Sequence, residues 1–182
     1  MVKYACRRSL DLAVDAARRC AALGADAVWI EECFTDMLSP DAFRNLSMPY
    51  LRPLIEEIRS LGMKSVYYFT GNPAGKMDQI ISSGADALAF EESKKNFHTD
   101  IDDIVDAVNG RCTVFGNLDS IGVLHDGTDE ALKLEILRQL RAGRRNGSRF
   151  VMSLGSPVTP STPVSRVRLY CDMVHDLQST GG

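Results

Sequence analysis

Two segments of this chain repeat one pattern: Gly24-Ala25-Asp26-Ala27-Val28-Trp29-Ile30-Glu31-Glu32 and Gly84-Ala85-Asp86-Ala87-Leu88-Ala89-Phe90-Glu91-Glu92. Each begins where a helical period stops at a glycine. Each then crosses a short apolar run and ends on paired carboxylates. That is the outline of a helix, a tight turn, a buried parallel strand and acids at the strand's C-terminal end. Active sites of parallel α/β proteins collect at those ends, so the repeat bears on both fold and site.

The rest of the chain keeps the same rhythm. Arg8 to Leu23 reads as an amphipathic helix with Leu10, Val14, Ala17 and Leu23 near one face. Strands are expected at Ala27–Ile30, Lys64–Phe69, Leu88–Phe90, Cys112–Phe115 and Phe150–Leu154. Ser39-Pro40 looks like an N-cap with proline at the first helical position, opening a helix to about Leu61 that breaks near Pro49. Further helices are expected at Gly75–Ser82, Ile101–Val108 (ending at Asn109-Gly110), Thr128–Ala142 and from Thr162-Pro163 to Leu177. The tail Ser179-Thr180-Gly181-Gly182 should fray.

A leading helix and about five βα units in strict alternation imply a parallel sheet with right-handed crossovers. The two similar segments lie 60 positions apart, two units of about 30 residues each. Recurrence in alternate units suits a TIM-type barrel, but a full barrel needs about 250 residues and eight units. At 182 residues with no linker, the chain reads as a single domain, either an open α/β sheet or a partial barrel.

A net charge of −3 gives no reason to expect nucleic acid or an anionic membrane as a partner. The basic cluster Arg138, Arg141, Arg144, Arg145 and Arg149 reads as a solvated helix end. The scattered cysteines Cys6, Cys20, Cys33, Cys112 and Cys171 suggest reduced thiols and a cytoplasmic protein. No apolar run is long enough to span a bilayer. His98, His125 and His175 lack metal-like spacing and read as surface residues, and Trp29 reads as core.

Three segments decide between the open sheet and the partial barrel. They are Glu32 to Tyr50 with its Ser47-Met48-Pro49-Tyr50-Leu51 ending, the Gly116-Asn117-Leu118-Asp119 turn, and Ser153 to Pro163. Together they resemble the uroporphyrinogen decarboxylase superfamily, which includes the haem-pathway decarboxylase and cobalamin-dependent methyltransferases. The resemblance implies the C-terminal part of a distorted TIM barrel. It also implies a small-molecule substrate of tetrapyrrole type and decarboxylation without a cofactor. The alternative within the superfamily is a methyltransferase component served by cobalamin on a partner protein. The zinc methyltransferases carry ligands at the places of Tyr68, Thr70 and Ser156, so no metal is expected here. The decarboxylases carry a serine at the place of Cys33, a histidine at that of Ser156, and a lysine after Thr70 that is missing here.

On this reading Glu32, Glu92 and Asp119 are candidate catalytic acids, and Cys33, Thr70, Asn72, Asn117 and Ser156 candidate substrate contacts. Each also has a plainer reading. Adjacent strand residues point to opposite faces, so at most one glutamate of each pair faces a barrel mouth. Glu32 and Glu92 are either pocket acids or rim partners of Lys94, Lys95 or arginines. Asn117 and Asp119 also suit a locally stabilised turn. Cys33 suits packing better than nucleophilic work. Gly71-Asn72-Pro73-Ala74-Gly75 is a weak candidate anion cradle. The missing N-terminal strands and tetrapyrrole-gripping arginines imply that the protein alone is inactive. A non-catalytic partial barrel is the third reading. Open sheet edges pair with other chains, so the expectation is a homo-oligomer or a missing N-terminal barrel half as partner.

Overall fold

The computed structural model describes residues 1–93 and 96–179. Lys94, Lys95 and the end of the tail lie outside the described residues. Five parallel strands alternate with helices: α1 (Val2–Ala22), β1 (Ala27–Glu32), α2 (Pro40–Leu46), α3 (Met48–Ser60), β2 (Lys64–Phe69), α4 (Met77–Ile81), β3 (Ala87–Phe90), α5 (Ile101–Val108), β4 (Thr113–Phe115), α6 (Asp129–Arg145), β5 (Phe150–Val151) and α7 (Val164–Ser179). The chain divides into two compact units, Met1–Leu88 and the residues from Ala89 on.

In the first unit, α1 starts six residues earlier than expected, because nothing between Val2 and Arg7 breaks a helix. It stops as the sequence implies. Gly24 adopts φ +82°, its N–H bonds Ala21 O at 3.0 Å, and Ala25 N–H bonds Cys20 O at 3.0 Å. This paired closure satisfies the last helical carbonyls and needs a residue at ease with positive φ. The α2–α3 break falls at Ser47 rather than Pro49. Pro49 sits in the first turn of α3, where a missing N–H costs nothing. Ser39 caps α2 by accepting from Ala42 N–H at 3.1 Å.

Strands β1 and β2 pair in parallel, Ala27 opposite Lys64 through Glu32 opposite Phe69. Val28 and Ile30 pack on a core of Ala17, Ile58 and Met63 contributed by α1, α3 and the turn before β2. Two apolar expectations are corrected. Leu23 lies just past the end of α1 and is exposed, and Trp29 points away from the helices and is 47% exposed.

In the second unit, β4 and β5 pair in parallel, and the ladder resumes at Leu118–Leu154 after a gap. Leu118, Leu124, Leu132, Ile136 and Tyr170 form its core. Thr128 caps α6 through Ala131 N–H at 3.1 Å, and Asp100 caps α5 through Asp102 N–H at 2.9 Å. A π-type turn, Ser120–His125, follows the Gly116–Asp119 segment. The basic cluster is not simply solvated. Arg138 bonds Asp100, Asp102 and Glu135, while Arg145 bonds Asp102 at 2.6 Å, tying α6 to α5.

Candidate active site

At the C-terminal end of β1 the two carboxylates part. Glu31 is exposed, on the side of the strand that carries Trp29. Glu32 is half-buried, on the side of Val28 and Ile30 that packs against helices. Both Glu32 oxygens are occupied: Oε1 accepts from Ser47 Oγ and Oε2 from Tyr67 Oη. Burial and the Glu32 charge push the Tyr67 phenol well above its ordinary range. The Glu32 carbonyl also accepts from Thr70 Oγ1 at 3.2 Å and Thr35 Oγ1 at 3.3 Å. Glu31 and Glu32 line a cavity of about 410 Å³ with Cys6, Leu10, Tyr50 and Leu51 among its walls.

Cys33 is exposed rather than packed, because it follows the last paired residue of β1, and its thiol lies 3.4 Å from Glu31 Oε1. Asn72 closes its own turn, accepting from Ala74 N–H at 3.0 Å. Gly71 lies against Asp36: a Cβ there would stand 2.4 Å from the Asp36 carboxylate. The buried Lys76 donates to Asp36 O at 3.0 Å and sits 5.8 Å from the Phe69 ring centre. Burial lowers its pKa, and the Asp36 charge works against that.

The second unit holds the other acids. Glu92 is buried, only 4% exposed, and its Oε2 accepts from Ser156 Oγ at 2.8 Å. Gly155 makes this approach possible. A Cβ there would lie 2.3 Å from Glu92 N and 2.5 Å from Glu92 Oε2. Asn117 is buried and donates to Thr99 O at 2.7 Å and Glu91 O at 3.2 Å. It clamps the segment after β3 to the segment after β4. Asp119 Oδ1 accepts from Ile121 N–H at 2.8 Å and Gly122 N–H at 2.9 Å, capping the π-type turn. Gly116 is needed because Gln139 Oε1 and Ser153 N crowd the space a larger residue would fill. Each position of the Gly116–Asp119 turn therefore has a local physical task.

Ser47, Tyr67, Asp36, Lys76 and Gly155 were not singled out as site residues in the sequence. Their partners are distant along the polypeptide, and only the two glycines beside Thr70 and Ser156 hinted at close approach. His98 and His175 are exposed as expected. His125 is half-buried, its Nδ1 3.0 Å from Thr162 Oγ1. Among the described residues no group of three or more His, Cys, Asp or Glu residues could hold a metal ion. Among them, too, no helix is long and apolar enough to cross a membrane.

The sequence pattern of the uroporphyrinogen decarboxylase (URO-D) family matches residues 1–177. This chain belongs to that family. It is similar to the uroporphyrinogen decarboxylase of Thermodesulfovibrio yellowstonii, with 29% identity over 155 residues, covering 85% of this chain and 42% of that protein. Solved structures share the fold. A methyltransferase from Methanosarcina mazei superposes with a TM-score of 0.78 at 21% identity, over 93% of this chain and 47% of that one. A xylose isomerase-like TIM barrel protein from Mycobacterium smegmatis gives 0.52 at 13% identity, over 94% of this chain and 68% of that one. These two likenesses concern the fold: α/β, with TIM-barrel enzymes as neighbours. This URO-D family chain spans less than half the length of the decarboxylase it matches.

Proposed function

We propose that this chain is part of a uroporphyrinogen decarboxylase-like carboxy-lyase acting on a tetrapyrrole. The observation that carries the reading is the URO-D family match over residues 1–177. The buried Glu92–Ser156 pair beyond the ends of β3 and β5 fits it. In the proposed reaction a proton adds to a pyrrole ring carbon. The bond between the substituent's methylene and its carboxylate then breaks, and the electron pair moves into the cationic ring as carbon dioxide leaves. A second proton reaches that methylene and the ring proton departs. No cofactor enters, since the protonated ring is the electron sink.

Glu92 is our candidate proton donor. It is a buried carboxyl just past the end of β3, where a proton could be passed to a substrate at the strand ends. Ser156 holds it in position. Glu32, both of whose carboxylate oxygens accept hydrogen bonds, and Asp119, whose Oδ1 accepts two, are the further candidate acids, and both also keep the strand-end loops in shape. Cys33, Thr70, Asn72 and Asn117 are the remaining candidates for contact with or support of substrate. Alone, at less than half the length of its relative, the protein is expected to be inactive.

The test is a chimera in which this sequence replaces the 155-residue matching region of the Thermodesulfovibrio yellowstonii decarboxylase. Carbon dioxide release from uroporphyrinogen is expected, with a loss of about 100-fold on Glu92→Gln. A folded chimera without turnover would remove this reading, and methyl transfer to cobalamin would replace it with the methyltransferase alternative.

A further inference from the structure

A second cavity in the first unit is walled by α2, α3 and the end of α4. It is a groove of about 500 Å³ and shares no lining residue with the cavity beside Glu32. Arg44 and Arg52 are the charged residues of its wall, and among the described residues no acid joins them there. Arg44 Nη1 lies 3.0 Å from Oδ1 of Asp41, an exposed residue outside the groove. Arg52 Nη2 donates to Ser82 Oγ at 3.0 Å, and that hydroxyl donates to Gln79 O at 2.9 Å. The serine thus fixes the Arg52 guanidinium without neutralising it, and among the described residues no carboxylate pairs with Arg52. A guanidinium carries five N–H donors in a planar fork that matches a carboxylate. Two arginines against Asp41 leave one positive charge at this groove, in a protein whose net charge is −3.

The apolar side of the groove supplies a second, independent observation. Met48, Pro49 and Pro53 form it, and Pro53 stands inside α3. A proline inside a helix crowds the carbonyl four residues earlier and removes the N–H that would bond it. That carbonyl belongs to Pro49, in the same wall. Pro53 is exposed, so packing of the core does not account for it. The two rings make a stiff apolar wall, and the Pro49 carbonyl lacks the donor an ordinary residue would give it.

We propose that this groove binds a small amphipathic carboxylate. Its apolar body lies on Pro49 and Pro53, its carboxylate meets the Arg44 and Arg52 forks, and an N–H of the ligand serves the Pro49 carbonyl. The volume is that of a small-molecule site. One uncompensated positive charge suits a single negative charge and repels a cation. Such binding requires neither a tetrapyrrole nor turnover, so it stands or falls apart from the proposed decarboxylation.

The probe is N-acetylphenylalanine, titrated into the isotope-labelled protein and followed by the amide and arginine Nε–H resonances. Shifts are expected at Arg44, Arg52 and Ser82, saturating with a Kd below about 1 mM. N-acetylphenylalanine amide keeps the ring and the N–H but lacks the charge, and should bind about 10-fold more weakly. Arg52→Met should weaken binding of the acid by about 10-fold, with the rest of the spectrum unchanged because Arg52 is exposed. The acid and its amide are compared on the unaltered protein, so the outcome does not depend on the variant folding. Equal binding of acid and amide would overturn the proposal. So would the absence of shifts at about 5 mM acid, or shifts confined to Leu10 and Tyr50 of the other cavity.

Discussion

Ser156 and Glu92, 64 positions apart in sequence, meet in a hydrogen bond of 2.8 Å that only a glycine at position 155 permits. Glu92 is buried, so the bond satisfies a carboxylate oxygen that has left water. The interaction joins the segment after β3 to the segment after β5.

Gly155→Ala is expected to cost about 1–3 kcal/mol, because the added methyl collides with Glu92 backbone as well as with its carboxylate. Ser156→Ala should cost roughly 1–3 kcal/mol by leaving a buried oxygen without that donor. Urea denaturation of both variants measures the loss. Wild-type stability in Gly155→Ala would contradict the geometry.

The pair Glu32–Tyr67 predicts an alkaline signature. Tyr67 and Tyr170 are both pushed above their ordinary range, burial being the main cause in each. A raised folded-state pKa contributes stability that is present below the unfolded value of about 10 and lost as pH rises. Ultraviolet titration should therefore show two phenols ionising only as the fold melts. Tyr67→Phe should remove one of them and destabilise the protein by about 1–3 kcal/mol at neutral pH.

Asp86, the acid inside the second repeat, predicts the opposite limb. Burial raises its pKa. That is outweighed by Ser65 N–H and Oγ, both 3.0 Å from Oδ2, and by Lys64 at 3.2 Å, so the net direction is downward. A depressed carboxyl contributes stability present above its unfolded value and lost as pH falls through the folded one. Asp86→Asn should lower the urea midpoint at pH 7, and the gap to wild type should narrow below about pH 4. A gap that persists into acid would assign the effect to shape rather than charge.

Arg138 is expected to matter more than the other arginines of its cluster, since it serves carboxylates on both α5 and α6. It and its partners are partly exposed, so Arg138→Met should cost only about 1 kcal/mol, and less in high salt. Thermal melts at low and high salt test this.

How much was legible follows the range of each interaction. The glycine stops at Gly24 and Gly84 and the caps at Ser39 and Thr128 were readable, because each acts within a few residues. Asn117 and Asp119 were readable as turn residues, but Asn117 finds its partners 18 and 26 positions away. The Cys33 and Trp29 expectations failed because burial is not a local property. Alternation fixes only that Trp29 opposes Val28, not which of the two is covered.

The sequence by itself determined the alternation of strands and helices, the helix stops and the family, since these depend on short spacings and on residue order. Tertiary structure alone decided that Glu32 turns toward Ser47 and Tyr67 while Glu31 stays on the exposed face, and that Glu92 is buried against Gly155 and Ser156. Two adjacent carboxylates on a strand are equivalent until helices pack on one side of it, and that packing brings together residues far apart in sequence.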